Sequence, residues 1–245
     1  MDRAIILAAG MGSRLVQGRD YPKPLQPVAH VPLLVRILRT LRGEGVHEAV
    51  IVTGHLAEEL RRGLAAAGDL DIALTFVHND AFATTKNGVS VLAAREHIQG
   101  DVFLTMGDHL FSPSLPRSLR KKDLPPGASA LGVDFDVPRC FDLDDATKVR
   151  VEGDRIAAIG KELTRYKAID TGVFRITSEL VTELAELHRV HGDCSLSEGV
   201  AALLKRGLFF ACDVGSSRWI DIDTPEALAH AEEMLQAHGD ALIDR

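Results

Sequence analysis

The sequence predicts an α/β fold: a Rossmann-like, doubly wound mixed sheet with a small β-rich subregion in its second half. Three observations carry this. The buried-looking runs "RAIILAA", "EAVIVTG" and "DVFLTMGD" alternate with amphipathic segments in the first half. From about Leu124 the strand-like runs are separated by turns instead of helices. Helical periodicity then returns toward the end of the chain.

Taken in order, "RAIILAA" and "EAVIVTG" read as buried strands, and "VPLLVRILRTLRGEG" between them has apolar residues at helical spacing before a Gly-rich stop. This is a βαβ unit. A helix over about 57–67, a strand "DIALTFV", a polar loop, a helix around 89–97 and the strand "DVFLTMGD" follow. This order describes an open doubly wound sheet. "GASALGVDF", "TKVRVEGDRIAAIG" and "KAIDTGVFRI" read as strands that extend or cross the sheet and wall a cleft. Helices over about 178–190 and 195–205 lead to a strand over 209–214, then "RWIDID" and a last helix from Pro225, with Thr224 and Pro225 suited to its N-cap and first position.

With 245 residues, 46% hydrophobic and 26% charged, the chain can bury one large core. We read 1–245 as a single domain with halves of about 1–123 and 124–245. The net charge is −7, and the clustered cations Arg117, Arg120, Lys121 and Lys122 read as a solvated loop, so nucleic acid is not an expected partner. Three distant cysteines, Cys140, Cys194 and Cys212, without CxxC spacing, read as reduced thiols and not as a disulfide framework or a zinc site. His188 and His191, at i, i+3 spacing, read as a helix surface, and Trp219 as a core anchor. No apolar run reaches the ~18 residues of a membrane span, and the first residues enter a strand directly, so a cytoplasmic protein is expected.

The stretch "LAAGMGSRL" turns a strand into a glycine-rich loop at the carboxyl edge of the sheet, where backbone N–H groups can cradle an anion. Leu7, Ala8, Ala9, Gly10, Met11, Gly12 and Ser13 are therefore candidate contacts to an anion such as phosphate, with Arg14 adding a fork of donors. A dinucleotide fingerprint would need glycine at Leu15, and the GK[ST] of a P-loop is absent. In "YPKPLQPV", Lys23 is fixed between Pro22 and Pro24, an unusual setting for a merely solvated lysine.

The coupling of "LAAGMGSRL" to "PKPLQPV" resembles the signature of the nucleoside-triphosphate nucleotidyltransferases that activate sugar phosphates and alcohol phosphates. Further resemblance runs through almost the whole chain, in "TMGDHLF", "DTGVF" and "WIDIDTPEAL". "MGDHLF", "GDCSLSEGV" and "WIDIDTPE" most resemble the cytidylyltransferases that make CDP-inositol from inositol 1-phosphate. The resemblance implies Arg14 and Lys23 as catalytic cations, a first half that binds nucleotide, and an acceptor-side β-rich subregion in the second half. It also implies Mg²⁺ as cofactor, held by Asp108 with a partner from "WIDIDTP": Asp223, which the reading favours, or Asp221. Asn87, Gly88 and Ser90 in "TTKNGVSVL" resemble the base-reading segment, and helix-start roles are open to them as well. Lys161, or Lys167 in its place, matches a second phosphate-facing lysine. Asp170, Thr171 and Gly172 match the acceptor strand.

The reaction so implied joins CTP to a phosphorylated alcohol and releases pyrophosphate. A phosphate monoester, with a second pKa of about 6, is already a nucleophile at neutral pH, so the difficulty is charge repulsion rather than activation. Inositol 1-phosphate is the expected acceptor. Phosphocholine, a phosphonate or a sugar 1-phosphate are the alternatives, and a catalytically silent nucleotide-binding domain is the reading from another class. A polyol needs polar partners, which Asp170, Thr171, Asp193, Ser195, Ser197 and Glu198 supply, some of them also as helix caps; a trimethylammonium group needs an aromatic cage, and the chain has nine Phe, two Tyr and one Trp. A separate membrane enzyme is expected to use the product.

Overall fold

A computed structural model of the chain describes residues 1–12, 15, 21–240 and 242. In chain order the strands and helices are β1 (Arg3–Ala8), β2 (Pro27–Val28), β3 (Val31–Pro32), α1 (Leu33–Gly43), β4 (Glu48–Thr53), α2 (Ala57–Ala66), β5 (Ala73–His78) and α3 (Asn87–Ala93). There follow β6 (Val102–Met106), β7 (His109–Phe111), α4 (Ser114–Lys121), β8 (Ser129–Asp134), β9 (Lys148–Glu152), β10 (Arg155–Gly160) and β11 (Ala168–Ile176). The chain continues through α5 (Ser178–His191), α6 (Leu196–Lys205), β12 (Phe209–Asp213), β13 (Trp219–Asp221) and α7 (Pro225–His238).

Among the described residues, one nine-stranded sheet runs β5-β4-β1-β6-β11-β8-β12-β10-β9. The block β5, β4, β1 and β6 is parallel, and β11 breaks it by pairing antiparallel with both β6 and β8. The alternation of strand side chains explains the two layers around it. Ala4, Ile6 and Ala8 of β1 join a core with α1, α2, α4 and α7, whereas Ile5 and Leu7 join the opposite core with α3, α5 and α6. Helices on both faces therefore make the sheet doubly wound, as the sequence predicts.

Most element boundaries agree with the sequence reading. Thr224 Oγ1 accepts from the Ala227 N–H at 3.2 Å, with Pro225 opening α7. The helix expected over 89–97 is α3 followed by a 3-10 turn at Arg95–His97. The Arg117 cluster corrects an expectation: Arg117, Arg120 and Lys121 belong to α4, and Lys122 is its C-cap. Pro116 falls in the first turn of that helix, where a missing N–H costs nothing, and Arg117 and Arg120 reach the Glu44 carboxylate and carbonyl. All three cysteines are free.

The parallel strands end together at one edge. After β6, the Gly107 N–H donates to Leu7 O at 2.8 Å and delivers Asp108 beside the end of β1. β13 pairs with β7, placing Asp221 opposite His109, and the Ile222 N–H donates to Asp108 O at 3.0 Å. This short pairing brings the late aspartates to the edge where the glycine turn lies.

Candidate active site

Lys23 sits in a 3-10 turn, Lys23–Leu25, between the two prolines, and its side chain is only 6% exposed. Its ammonium lies 2.7 Å from Asp108 Oδ2, is hydrogen-bonded to Asp223, and is 3.9 Å from Asp221 Oδ1. Gly12 makes room for it: at φ +59° its backbone runs so close that a β-carbon would be 2.5 Å from Lys23 Cβ. The lysine expected to face phosphate is thus held among carboxylates, at the wall of the cavity that the glycine turn forms.

Three cavities meet at this cluster. One, of about 330 Å³, is lined by Leu7, Ala8, Gly10, Gly12, Lys23 and Asp108. A second, also about 330 Å³, continues past Leu7, Ala9 and Gly10 to Asn87, Ser90 and His109. The third, about 220 Å³, lies across His109 and is walled by Asp145, Lys161, Asp170, Gly172, Asp221 and Asp223, among others. The glycine turn and the later half of the chain therefore face each other across Asp108 and His109.

The cluster is strongly polarised. Burial works against the Lys23 charge, but Asp108, Asp221 and Asp223 outweigh it and raise its pKa above the ordinary lysine value. Burial likewise opposes ionisation of Asp108, yet Lys23 and His109 hold its carboxyl well below the usual carboxylate range. His109, unfavoured by burial, is drawn up to about 9 by Asp221, Asp108 and Asp170. Burial pushes Asp221 up to about 6 against the pull of His109, and Asp170 up to about 6 against the Gly172 N–H and His109. Asp221 Oδ1 is buried without a hydrogen-bond partner. A carboxylate oxygen that accepts no hydrogen bond, beside a second carboxylate, is a hard donor set, which fits a divalent cation. Asp108, His109 and Asp221 offer ligand atoms within 4.8 Å of one another, and His188 and His191 join no such group among the described residues.

Other expected site residues divide. Ser13 and Arg14 lie outside the described residues, and Met11 points outward, 55% exposed. Lys86 is the N-cap of α3, and Asn87 Oδ1 accepts from the Leu196 N–H at 2.9 Å; Ser90 Oγ accepts from Asn79 at 3.0 Å. Gly88 packs against the Cys194 carbonyl and lines none of these cavities. Lys161 reaches the third cavity paired with Asp145 at 2.5 Å, whereas Lys167 does not line it. Thr171 is fully buried, with its hydroxyl donated to Gly132 O at 2.8 Å, so it does not reach the cleft. Ser195 and Glu198 form a capping box and Asp193 accepts from Lys86 N–H, leaving Ser197 and Asp170 in the cavity wall.

Sequence reasoning missed His109 and Phe141. The signal for His109 was its place directly after Asp108 at a strand end. Phe141, 45% exposed and stacked on His230 at 4.8 Å, lines the third cavity. Trp219 packs partly buried against the core, as expected, and it also walls the third cavity with its indole N–H donated to Asp134 at 2.8 Å.

The profile of the MobA-like NTP transferase domain matches residues 4–141. A protein of Rubrobacter xylanophilus named bifunctional IPC transferase and DIPP synthase is 37% identical over 95% of this chain and 51% of its own length. A protein of the same name from Thermococcus kodakarensis is 33% identical over 100% of this chain and 54% of its own. The chain thus spans about half the length of these curated relatives. The solved inositol-1-phosphate CTP transferase from T. maritima superposes with a TM-score of 0.80 at 28% identity, covering 95% of this chain and 97% of that one. No described helix is long and apolar enough to cross a membrane. With more than half of its length matched by that profile, the chain belongs to the MobA-like NTP transferase domain family.

Proposed function

We propose that the protein transfers CMP from CTP to inositol 1-phosphate, giving CDP-inositol and pyrophosphate, with Mg²⁺ as cofactor. The observation that carries this reading is the Lys23–Asp108–Asp221–Asp223 cluster at the junction of the three cavities. The nearly full-length likeness to the T. maritima inositol-1-phosphate CTP transferase supports the choice of substrates. In this reading residues of about 1–123 take the nucleotide and those of about 124–245 the acceptor. The glycine turn, with Leu7, Ala8, Ala9, Gly10 and Gly12, borders the triphosphate, while Asn87 and Ser90 border the base. Asp170 and Gly172 border the acceptor.

The acceptor phosphate needs no base, because it is largely dianionic at neutral pH. What the chain supplies is position and charge. Lys23 offers a buried cation where negative charge gathers as the phosphate oxygen attacks the α-phosphorus and pyrophosphate leaves in line. Asp108 and Asp221 would hold the Mg²⁺, with Asp223 tied to Lys23 beside them; Asp221 Oδ1, which accepts no hydrogen bond, favours Asp221 as partner to Asp108. The ion, when bound, neutralises phosphate oxygens and eases departure of pyrophosphate. Carboxylates at Asp142, Asp145 and Asp170 in the third cavity suit the donated hydroxyls of a polyol.

Phosphocholine is the second reading, because Phe141, Phe174 and Trp219 also border that cavity. The polyol is preferred because Phe174 is 2% exposed and so offers almost no face to a ligand. A cytoplasmic location and use of CDP-inositol by a separate membrane enzyme belong to the same proposal. The test is pyrophosphate release with CTP or UTP against a panel of inositol 1-phosphate, phosphocholine, a phosphonate and glucose 1-phosphate. The fastest turnover is expected with CTP and inositol 1-phosphate. A phosphocholine rate tenfold higher, about 1.4 kcal/mol of transition-state stabilisation, would reverse the acceptor assignment.

A further inference from the structure

β11 is not a regular strand. Its pairing with β8 joins Ile169 to Asp134 and Asp170 to Val133, then resumes with Phe174 opposite Leu131, so the stretch 171–173 faces Gly132 alone. The irregularity is held from both sides. Thr171 donates its hydroxyl to Gly132 O at 2.8 Å, and Asp170 Oδ1 accepts from the Gly172 N–H at 2.7 Å. Gly172 at its apex has φ +72°, and a β-carbon there would lie 2.3 Å from Cδ2 and 2.5 Å from Nε2 of His109. Only a glycine lets the bulge approach the imidazole so closely.

Across the ring, His109 Nδ1 is 2.8 Å from Asp108 Oδ1. A carboxylate ion can only accept, so Nδ1 carries the proton and donates it. The two oxygens of Asp108 are thereby divided: Oδ1 goes to His109 and Oδ2 to the Lys23 ammonium at 2.7 Å. A free carboxylate would rotate between equivalent oxygens.

We infer that the Asp170–Thr171–Gly172 bulge is a seat for His109, and that the seated His109 is a positioning residue which fixes Asp108 so that Oδ2 is presented to the cation. The role rests on the reading of Asp108 as a metal carboxylate. It gives "DTG" a task in the architecture of the site that is separate from touching an acceptor, and it explains why Thr171 is buried. Hydrogen bonds of this outer kind commonly change metal affinity by about 10- to 100-fold when lost.

Mn²⁺ binding, followed by electron paramagnetic resonance without substrates, tests it with three variants. His109→Asn keeps a donor near the place of Nδ1, His109→Gln moves the donor toward the place of Nε2, and His109→Leu has none. Binding by the Asn variant is expected within about threefold of the parent, and the Gln and Leu variants should bind at least about tenfold more weakly. Parental affinity in all three variants, or an Asn variant as weak as Leu, would overturn the role. Nitrogen NMR of the parent needs no His109 variant: a protonated Nδ1 resonance that moves in Asp108→Asn but not in Lys161→Ala is expected, and one indifferent to Asp108 contradicts the proposal. If Mn²⁺ binding follows the expected order but no CDP-inositol forms, the positioning role stands and the substrate reading falls.

Discussion

The ammonium of Lys23 and the carboxylate of Asp108 form a contact of 2.7 Å at the end of the parallel strands, with the lysine side chain only 6% exposed. Lys23 is the cation that two further carboxylates also face. Replacing it with methionine leaves three carboxylates facing one another with His109 as the cation beside them. Lys23→Met is therefore expected to lower stability in denaturant titrations without divalent cation, and Mg²⁺ should recover part of the loss. Unchanged stability would mean that the lysine does not hold the cluster together.

Asp221 and Asp223 differ in their surroundings, which makes them separable. Asp223 is bonded to Lys23, whereas burial raises Asp221 and its Oδ1 has no hydrogen-bond partner. Asp221→Asn is expected to keep or improve stability at neutral pH while turnover in Mg²⁺ falls by about 10²-fold or more. Asp223→Asn should lose stability as well as rate. Steady-state kinetics and melts of both variants decide the pair, and a larger kinetic loss in Asp223→Asn would make Asp223 the ligand.

Asp170 gives a dependence on pH. Its carboxyl is raised from 3.8 to about 6 in the folded chain, so between these values the folded state holds a proton that the unfolded state has released. Stability from this group is present below about pH 4 and is lost as pH rises to about 6, the opposite of a salt-bridged aspartate. Asp170→Asn keeps the oxygen that accepts from Gly172 and removes the ionisation penalty. The variant should gain on the order of 1–3 kcal/mol at pH 7.5 relative to its effect at pH 4. Melting curves at the two pH values check this, and an equal effect at both would show that burial does not govern Asp170.

Lys161 and Asp145 form a 2.5 Å pair on the wall of the third cavity, which Lys23 does not line. A contact made equally in ground and transition states changes KM and not kcat. Lys161→Ala is expected to raise KM for inositol 1-phosphate several-fold, with kcat and KM for CTP nearly unchanged. A fall in kcat alone would place Lys161 at the reacting phosphates.

The parts of the fold legible in the sequence are those whose signal is local. β1, β4 and β6 are continuous apolar runs because both faces are covered, and the glycine turn and Lys23 carry their meaning within a few residues. The β7–β13 pairing was less visible, since each partner has three residues and the register joins Phe111 to Trp219, far apart in the chain. The bulge at Gly172 was invisible for a similar reason: "DTG" reads as an acceptor strand until Gly132 and His109 are seen on either side. His109 was passed over because a histidine after an aspartate has no periodicity to reveal it. The capping roles of Ser195 and Glu198, by contrast, follow from their three-residue spacing.

The most direct test follows CTP, inositol 1-phosphate and Mg²⁺ by phosphorus NMR with the parent protein and with Asp108→Asn, shown to be folded by circular dichroism. The parent is expected to convert CTP into pyrophosphate and a CDP-diester in equal amounts, and Asp108→Asn to do so at least about 10²-fold more slowly. Turnover by Asp108→Asn near the parental rate, or no diester from the parent, would contradict the account.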